Sequence, residues 1–262
     1  MKILTYLFTI LFLCGCSPRE KASGTPQKIL SLSAAATKIL FDLDVPPSAI
    51  DEYGLIASGN PPPQVIGKGS AISREKMVEL GIDYVILWDY QQDSASQFRK
   101  NGLQVLELKP FRLADYPALI LKLGKITGKT EKAESLVLDF QKKLSSFEIP
   151  EKRKPVYFEL YGSMKSAGNE SYTGDLIARS GGVFLNRKTG LLSTEKLLEH
   201  QPEVIFYVEG FTTAEEIRNR SGFSELPAVK NNRIYSVPRR LFTEGIAPLE
   251  AMEFFKKYLT AE

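Results

Sequence analysis

One histidine, His200, and two cysteines, Cys14 and Cys16, are the whole imidazole and thiol inventory of the chain. A single histidine excludes any multi-histidine zinc or manganese site and leaves a Ser-His-Asp hydrolase without its base. At the end of a helix pattern, His200 favours the helix dipole. Both cysteines lie near the start, so the remainder has no disulfide, thiolate metal site or thiol nucleophile. Neither a metal nor a cofactor is expected. Gly124-Lys-Ile-Thr-Gly128-Lys129-Thr130 imitates a phosphate-binding loop, but its glycines are one residue too close and no strand precedes it. Gly67-Lys68-Gly69-Ser70 lacks the lysine-threonine ending and reads as a cleft loop. What is left is binding chemistry. Open α/β sheets bind ligands beyond the C-terminal ends of their strands. In the first half that rule nominates Ser33, Tyr53, Lys68, Gly69, Trp88, Tyr90 and Phe111. In the second it nominates Tyr161, Asn169, Glu170, Arg187, Arg239, Arg240 and Phe242. Trp88 directly follows Tyr-Val-Ile-Leu, and Tyr161 directly follows Tyr-Phe-Glu-Leu. Aromatic faces suit flat ligands, and Lys or Arg suit carboxylates or phosphate.

The elements that must position these residues alternate. Short β-branched runs at Lys28–Leu32, Ala49–Asp51, Tyr84–Trp88 and Gln104–Leu108 read as strands, with helices at Ala35–Leu43, Arg74–Leu80 and Ser94–Asn101. The second half repeats the scheme, with strands at Pro155–Leu160, Val204–Tyr207 and Ile234–Val237. Its helices are expected at Thr173–Ser180, Thr194–Glu199, Ala214–Asn219 and Pro248–Leu259. Such alternation argues parallel sheets. Between the halves, Ala114 to Phe147 is rich in Leu, Lys, Ala and Glu at helical spacing and predicts one long helix, kinked at Gly124 or Gly128. The simplest architecture is two Rossmann-like α/β lobes, 28–112 and 148–262, joined by a linker helix over 113–147.

The chain also nearly repeats itself. Ser73-Arg-Glu75-Lys-Met-Val-Glu79 aligns with Ser193-Thr-Glu195-Lys-Leu-Leu-Glu199, with Ser, Glu, Lys and Glu coinciding. Each copy sets a serine N-cap before a short helix that leads into a buried strand. Matched helices in the two lobes predict a pseudo-twofold pair facing a cleft.

Residues 1–15 read as an export signal: Lys2, an apolar run from Ile3 to Leu13, then Cys14-Gly15-Cys16. The run is too short to span a hydrocarbon core of roughly 30 Å. Leu13-Cys14-Gly15-Cys16 resembles the lipobox of bacterial lipoproteins, which makes Cys16 the lipidated residue and residues 16–27, rich in Pro, Gly and Ser, a flexible tether. The expected location is the cell envelope, facing the periplasm or the outer surface of the cytoplasmic membrane, with lipid as the only membrane contact. Hydrophobic residues make up 43% and charged residues 25%, as in ordinary soluble domains, and the net charge of +3 without a basic block gives no footprint for nucleic acid.

Together, Lys28-Ile-Leu-Ser31-Leu-Ser33-Ala-Ala-Ala-Thr37, Ser73–Trp88, Gly168–Asn186, Leu192–Tyr207 and Arg233–Leu259 resemble, in order and spacing, the ABC-importer substrate-binding proteins for ferric siderophores, haem or cobalamin. Gly174-Asp-Leu-Ile-Ala-Arg-Ser-Gly181-Gly182 is similar to that family's helix ending in a Gly-Gly turn. The resemblance implies a preformed inter-lobe cleft, a monomer, and partnership with an ABC permease and its ATPase. It also implies that Glu75 and Glu195 dock to arginine pockets of the permease, where carboxylate–arginine pairing gives bidentate orientation. Aromatics would then cover a macrocycle or catecholate rings. Cobalamin-binding relatives present several cleft tryptophans, whereas Trp88 is the only one here. Carboxylate-siderophore sites cluster arginines, represented here by Arg239-Arg240 with Arg187. Haem-binding relatives use tyrosine as iron ligand, a role open to Tyr53, Tyr90 or Tyr161. The three ligand classes stay open. Two other functions compete: an α/β lipoprotein enzyme acting on a glycan or ester, and a surface receptor of the same fold without a permease.

Overall fold

The computed structural model describes residues 28–162 and 164–261. The signal, Cys16 and the tether lie outside the described residues. The chain opens with β1 (Ile29–Ser31), α1 (Ala34–Asp42), β2 (Ala49–Ile50), β3 (Gln64–Val65), β4 (Gly67–Lys68) and β5 (Ala71–Ile72). Then come α2 (Arg74–Glu79), β6 (Tyr84–Trp88), α3 (Gln92–Lys100) and β7 (Gln104–Leu108). A helical stretch follows, α4 (Tyr116–Thr127) and α5 (Thr130–Ser145). The second half continues with β8 (Lys154–Glu159), β9 (Lys165–Ser166), α6 (Tyr172–Arg179), β10 (Gly182–Phe184), β11 (Gly190–Leu191), α7 (Thr194–His200) and β12 (Val204–Val208). It closes with α8 (Ala214–Arg218), α9 (Pro227–Lys230), β13 (Ile234–Val237), α10 (Arg239–Phe242) and α11 (Pro248–Thr260).

Two separate sheets result. The first runs β3-β2-β1-β6-β7, all parallel. The second runs β11-β9-β8-β12-β13, with β10 also beside β8; β10, β8, β12 and β13 are mutually parallel, while β9 and β11 are antiparallel additions. The four-strand orders β2-β1-β6-β7 and β10-β8-β12-β13 are therefore equivalent, as the internal repeat predicts. The equivalence is residue by residue. Met77 and Leu197 are the buried residues of α2 and α7, and Gly81 and Gln201 each turn the chain with positive φ. Tyr84 and Val204 then begin matching strands.

Parallel strands need apolar cover on both faces, and alternate side chains provide it. In the first sheet, Val85 and Leu87 pack with Met77, Ala95 and Phe98, while Ile86 faces the opposite way. In the second, Tyr157 and Ile205 pack with Leu197, Ile217 and Phe223. The other faces of both sheets share one continuous core. It runs from Ile86 and Leu108 through Leu119, Leu123, Val137 and Phe140 to Val156, Phe158, Phe206 and Phe255. The α4–α5 segment thus welds the halves together as well as connecting them.

That segment is two helices, where the periodicity predicts one. The chain leaves α4 at Gly128, whose φ of 70° is left-handed, and the Lys129 N–H reaches back to the Gly124 carbonyl at 2.7 Å. A left-handed glycine closes the orphan carbonyls of a helix end, so the break is a true C-cap. Apolar spacing is equally helical on both sides of it, which is why periodicity passes through.

Candidate functional site

Residues at the C-terminal ends of β2, β6 and β7 form one aromatic wall. Tyr53 and Tyr90 are exposed, Trp88 is half-buried and Phe111 is buried. Trp88 stacks on Tyr90 at 6.3 Å and on Phe111 at 6.3 Å, so the three rings form a slab anchored in the core by Phe111. Such offset pairs prefer centroid separations of about 4.5–7 Å. Below them, buried Asp51 accepts the Gly54 N–H at 3.0 Å and the Gly69 N–H at 3.2 Å, which holds the β4–β5 turn beside Tyr53. Burial raises the Asp51 pKa, and those backbone bonds offset part of the rise.

The second wall follows β8, β12 and β13. Tyr161 meets Phe211 edge-on at 5.2 Å and Phe242 at 5.9 Å. Arg239 lies 4.5 Å over the Phe211 ring and donates to the Glu209 carbonyl at 3.1 Å. The walls face each other. Burial raises the pKa of Tyr90, helped by the charges of Glu244 and Asp51 and by Tyr161 across the gap. Tyr90 is 72% exposed as a residue.

Glu244, just after α10, is half-buried. Burial alone pushes its carboxyl up to about 7. Burial also raises Tyr161, and then Glu244 raises it further. Next to it, Gly245 has φ of 72°, and a Cβ there would come within 2.9 Å of Ala35 and 3.0 Å of Phe111, so this loop is pressed onto the first half. The Tyr172 hydroxyl is buried beside the Gly245 backbone without a hydrogen bond of normal geometry. Arg112 ties the halves nearby: its Nε donates to Asp175 at 2.7 Å, and its guanidinium reaches the Asn169 carbonyl at 3.1 Å.

The nominated residues therefore divide. Tyr53, Trp88, Tyr90, Tyr161, Arg239 and Phe242 surround the cleft, with Lys68 and Gly69 on its rim. Ser33 is fully buried and caps α1 by accepting the Ala36 N–H at 3.3 Å. Phe111 supports Trp88 from the core. Arg187 pairs with Glu170 on the surface. Arg240 pairs with Glu250 and lines a separate pocket of about 390 Å³ with Tyr116 and Phe140, away from the aromatic walls. Sequence reasoning missed Glu244, Phe211 and Tyr172. Phe211 had a readable signal, since it follows β12 as Tyr161 follows β8.

Glu75 and Glu195 are both exposed second residues of Ser-capped helices. The Lys76 and Lys196 N–H groups donate to Ser73 and Ser193 at 3.2 and 3.3 Å. A hydrogen bond from the Ser193 hydroxyl lowers the Glu195 pKa. Among the described residues, no group of three or more His, Cys, Asp or Glu is placed to hold a metal, and no helix is long and apolar enough to cross a membrane.

Comparison with known proteins places the fold in a family. The family model described as periplasmic binding protein matches residues 29–241. The chain belongs to the periplasmic binding protein family. An uncharacterized ABC transporter substrate-binding lipoprotein of Bacillus subtilis, YvrC, is 24% identical over 245 residues, covering 84% of this chain and 75% of that one. The ABC transporter substrate-binding protein of Listeria monocytogenes EGD-e shares the fold at TM-score 0.76 and 23% identity, covering 90% of this chain and 99% of the other. IsdE of S. aureus, solved with haem, superposes at TM-score 0.76 and 20% identity, covering 90% of this chain and all (100%) of IsdE.

Proposed function

We propose that this periplasmic binding protein is the lipid-anchored receptor of an ABC importer, capturing an iron chelate or a corrinoid between two lobes and passing it to a permease. The observation that carries the reading is the pair of aromatic clusters at the strand ends of the two sheets, Trp88 with Tyr90 and Phe111 on one and Tyr161 with Phe211 and Phe242 on the other. The B. subtilis relative is named as a substrate-binding lipoprotein, and IsdE holds haem in the same fold. Flat faces of Trp88, Tyr90 and Tyr161 suit a porphyrin or catecholate ligand, and a tyrosine hydroxyl suits ferric iron. No bond is made or broken in the ligand. Capture desolvates the rings, docking orients the lobes on the transporter, and release follows the transporter's cycle.

The lobes span 28–112 and 148–262, with 113–147 between them, and the protein acts as a monomer. Cys16 carries the lipid at the cell envelope. Glu75 and Glu195 are the docking pair. They occupy matched sites of a repeat that coincides down to backbone conformation, and neither makes a salt bridge among the described residues.

Trp88 reports binding. A chelate laid on Tyr90 sits one ring from the indole, so titration with haem, ferric siderophores and cobalamins is expected to give saturable quenching with one class, confirmed by calorimetry. Failure of all three by both methods would sink the chelate reading. Docking is tested apart from capture. Glu75→Arg and Glu195→Arg are each expected to lower chelate-dependent growth or uptake about tenfold, with ligand affinity unchanged, because a rim charge mainly governs encounter and orientation. Unchanged uptake in the double variant would remove the docking role.

A further inference from the structure

Away from the aromatic walls, a cavity of about 390 Å³ opens where α1, α4, α5, α10 and the start of α11 converge, so both halves and the segment between them contribute to it. That volume falls within the range of about 300–1,000 Å³ that small-molecule sites occupy. Much of its lining is apolar: Ile39, Ile120, Leu136, Phe140, Ile246 and Leu249. Ile39, Ile120, Phe140 and Ile246 are buried core residues, so packing fixes the walls. Two polar groups of the lining have no partner. Tyr116 is 6% exposed, its ring stacked on Phe111 at 6.4 Å and edge-on to Phe140 at 5.1 Å. Its hydroxyl makes no hydrogen bond with any described residue. Unlike the Tyr172 hydroxyl, which is sealed without a partner, it keeps contact with the cavity that the residue lines. Burial raises the Tyr116 pKa, with the charge of Asp42 adding to the rise, so the group stays a neutral donor. The charges of the rim sort into pairs with one exception. Lys38 pairs with Asp42, and Arg240 with Glu250. Lys143, exposed on α5 one turn beyond Phe140, pairs with no acid among the described residues.

We propose that this cavity is a second ligand site, distinct from the cleft, and that it takes a small amphipathic monocarboxylate. The apolar tail packs among Ile39, Ile120, Leu136 and Leu249, which removes it from water. The carboxylate meets Lys143 and accepts from the Tyr116 hydroxyl, the two groups that the fold leaves unused. A cation would find no free acid in the lining, and a dianion would find one free cation. The site goes beyond the chelate-receptor reading and does not depend on it. Because its walls come from both halves, an occupant stabilises the fold as well as filling the space.

The test holds the tail constant and changes only the head group. Decanoate, decanol and decylammonium are titrated by calorimetry, each below its micelle concentration. Decanoate is expected to bind saturably at one site and to raise the melting temperature. Decanol should bind about fivefold more weakly, the scale of one exposed charge pair, and decylammonium more weakly still. Lys143→Glu should weaken decanoate about tenfold while leaving decanol and the chelate titration unchanged. Tyr116→Phe should cost about threefold with decanoate, the scale of one neutral hydrogen bond. Leu249→Trp, which fills the cavity, should abolish decanoate binding. Should Leu249→Trp fold poorly, Lys143→Glu decides alone, since that side chain is exposed. Absence of saturable decanoate binding overturns the assignment. So does binding that decanol matches, or that persists undiminished in Lys143→Glu or in Leu249→Trp. The two readings fail separately: loss of this site leaves chelate capture standing, and chelates that do not bind leave this site standing.

Discussion

Glu159→Ala is expected to destabilise the protein by about 3–5 kcal/mol, because it strands a charge inside the second half. Glu159 ends β8 fully buried and accepts a bidentate pair from Arg220, with one N–O distance of 2.7 Å. The Tyr157 hydroxyl also donates to it at 2.7 Å. Burial raises the Tyr157 pKa, with the carboxylate adding to the rise, and the hydrogen bond to Glu159 raises Arg220. Both groups are thus held in one protonation state around this carboxylate. Removing it leaves a guanidinium and a phenol without an acceptor, and for a domain of this size the loss corresponds to a melting-temperature drop of about 10 °C. Because Tyr161 lies two residues beyond Glu159, and Arg220 also approaches Thr212 beside Phe211, the second wall should loosen too. A double variant, Glu159→Leu with Arg220→Met, should recover much of the stability, since apolar replacement of a whole buried pair is close to neutral. Calorimetric melting of the three proteins decides it. A single variant as stable as the parent would mean that Arg220 finds water when its partner is lost.

The sheet framework was readable because its signals are local. Tyr84–Trp88, Gln104–Leu108 and Ile234–Val237 are strands with the bounds that alternation predicts, and the serine caps of α2 and α7 mark their helix starts. The two-residue strands β3, β4 and β5 were not readable, since two residues carry no period. The split between α4 and α5 escaped for the opposite reason: the helical pattern is strong on both sides, and one left-handed glycine decides the break.

The site was half readable for the same cause. Trp88, Tyr90 and Tyr161 follow strand-like runs, so the strand-end rule finds them from neighbours in sequence. The commitments of the charged residues are distant. Arg187 meets Glu170 and Arg240 meets Glu250 only after folding, so their nomination as ligand contacts could not foresee those partners. Glu244 shows the limit most plainly. Nothing in Phe242-Thr243-Glu244-Gly245 marks an acid that folding half-buries. Its neighbour Gly245 is pressed onto Ala35 and Phe111, contacts made by the other half of the chain.

Glu244→Gln is expected to stabilise the unliganded protein, increasingly so as pH rises. The folded-state pKa of about 7 lies above the ordinary value of 4.5 for an unfolded chain. Below the lower value both states are protonated and the carboxyl brings no penalty. Between the two, the unfolded state loses its proton while the folded state keeps it, so stability falls with rising pH. Above about 7 both are ionised and the full loss persists, on the order of 2–3 kcal/mol once partial solvent screening is allowed for. Glutamine does not titrate, so the variant should match the parent near pH 4.5 and exceed it by that amount near pH 8. Denaturant unfolding of both proteins across this range measures the difference directly. A constant offset at all pH values would show that Glu244 titrates as it does in the unfolded chain. A difference that grows with pH would show that the folded protein gives up stability at this position as the carboxyl ionises.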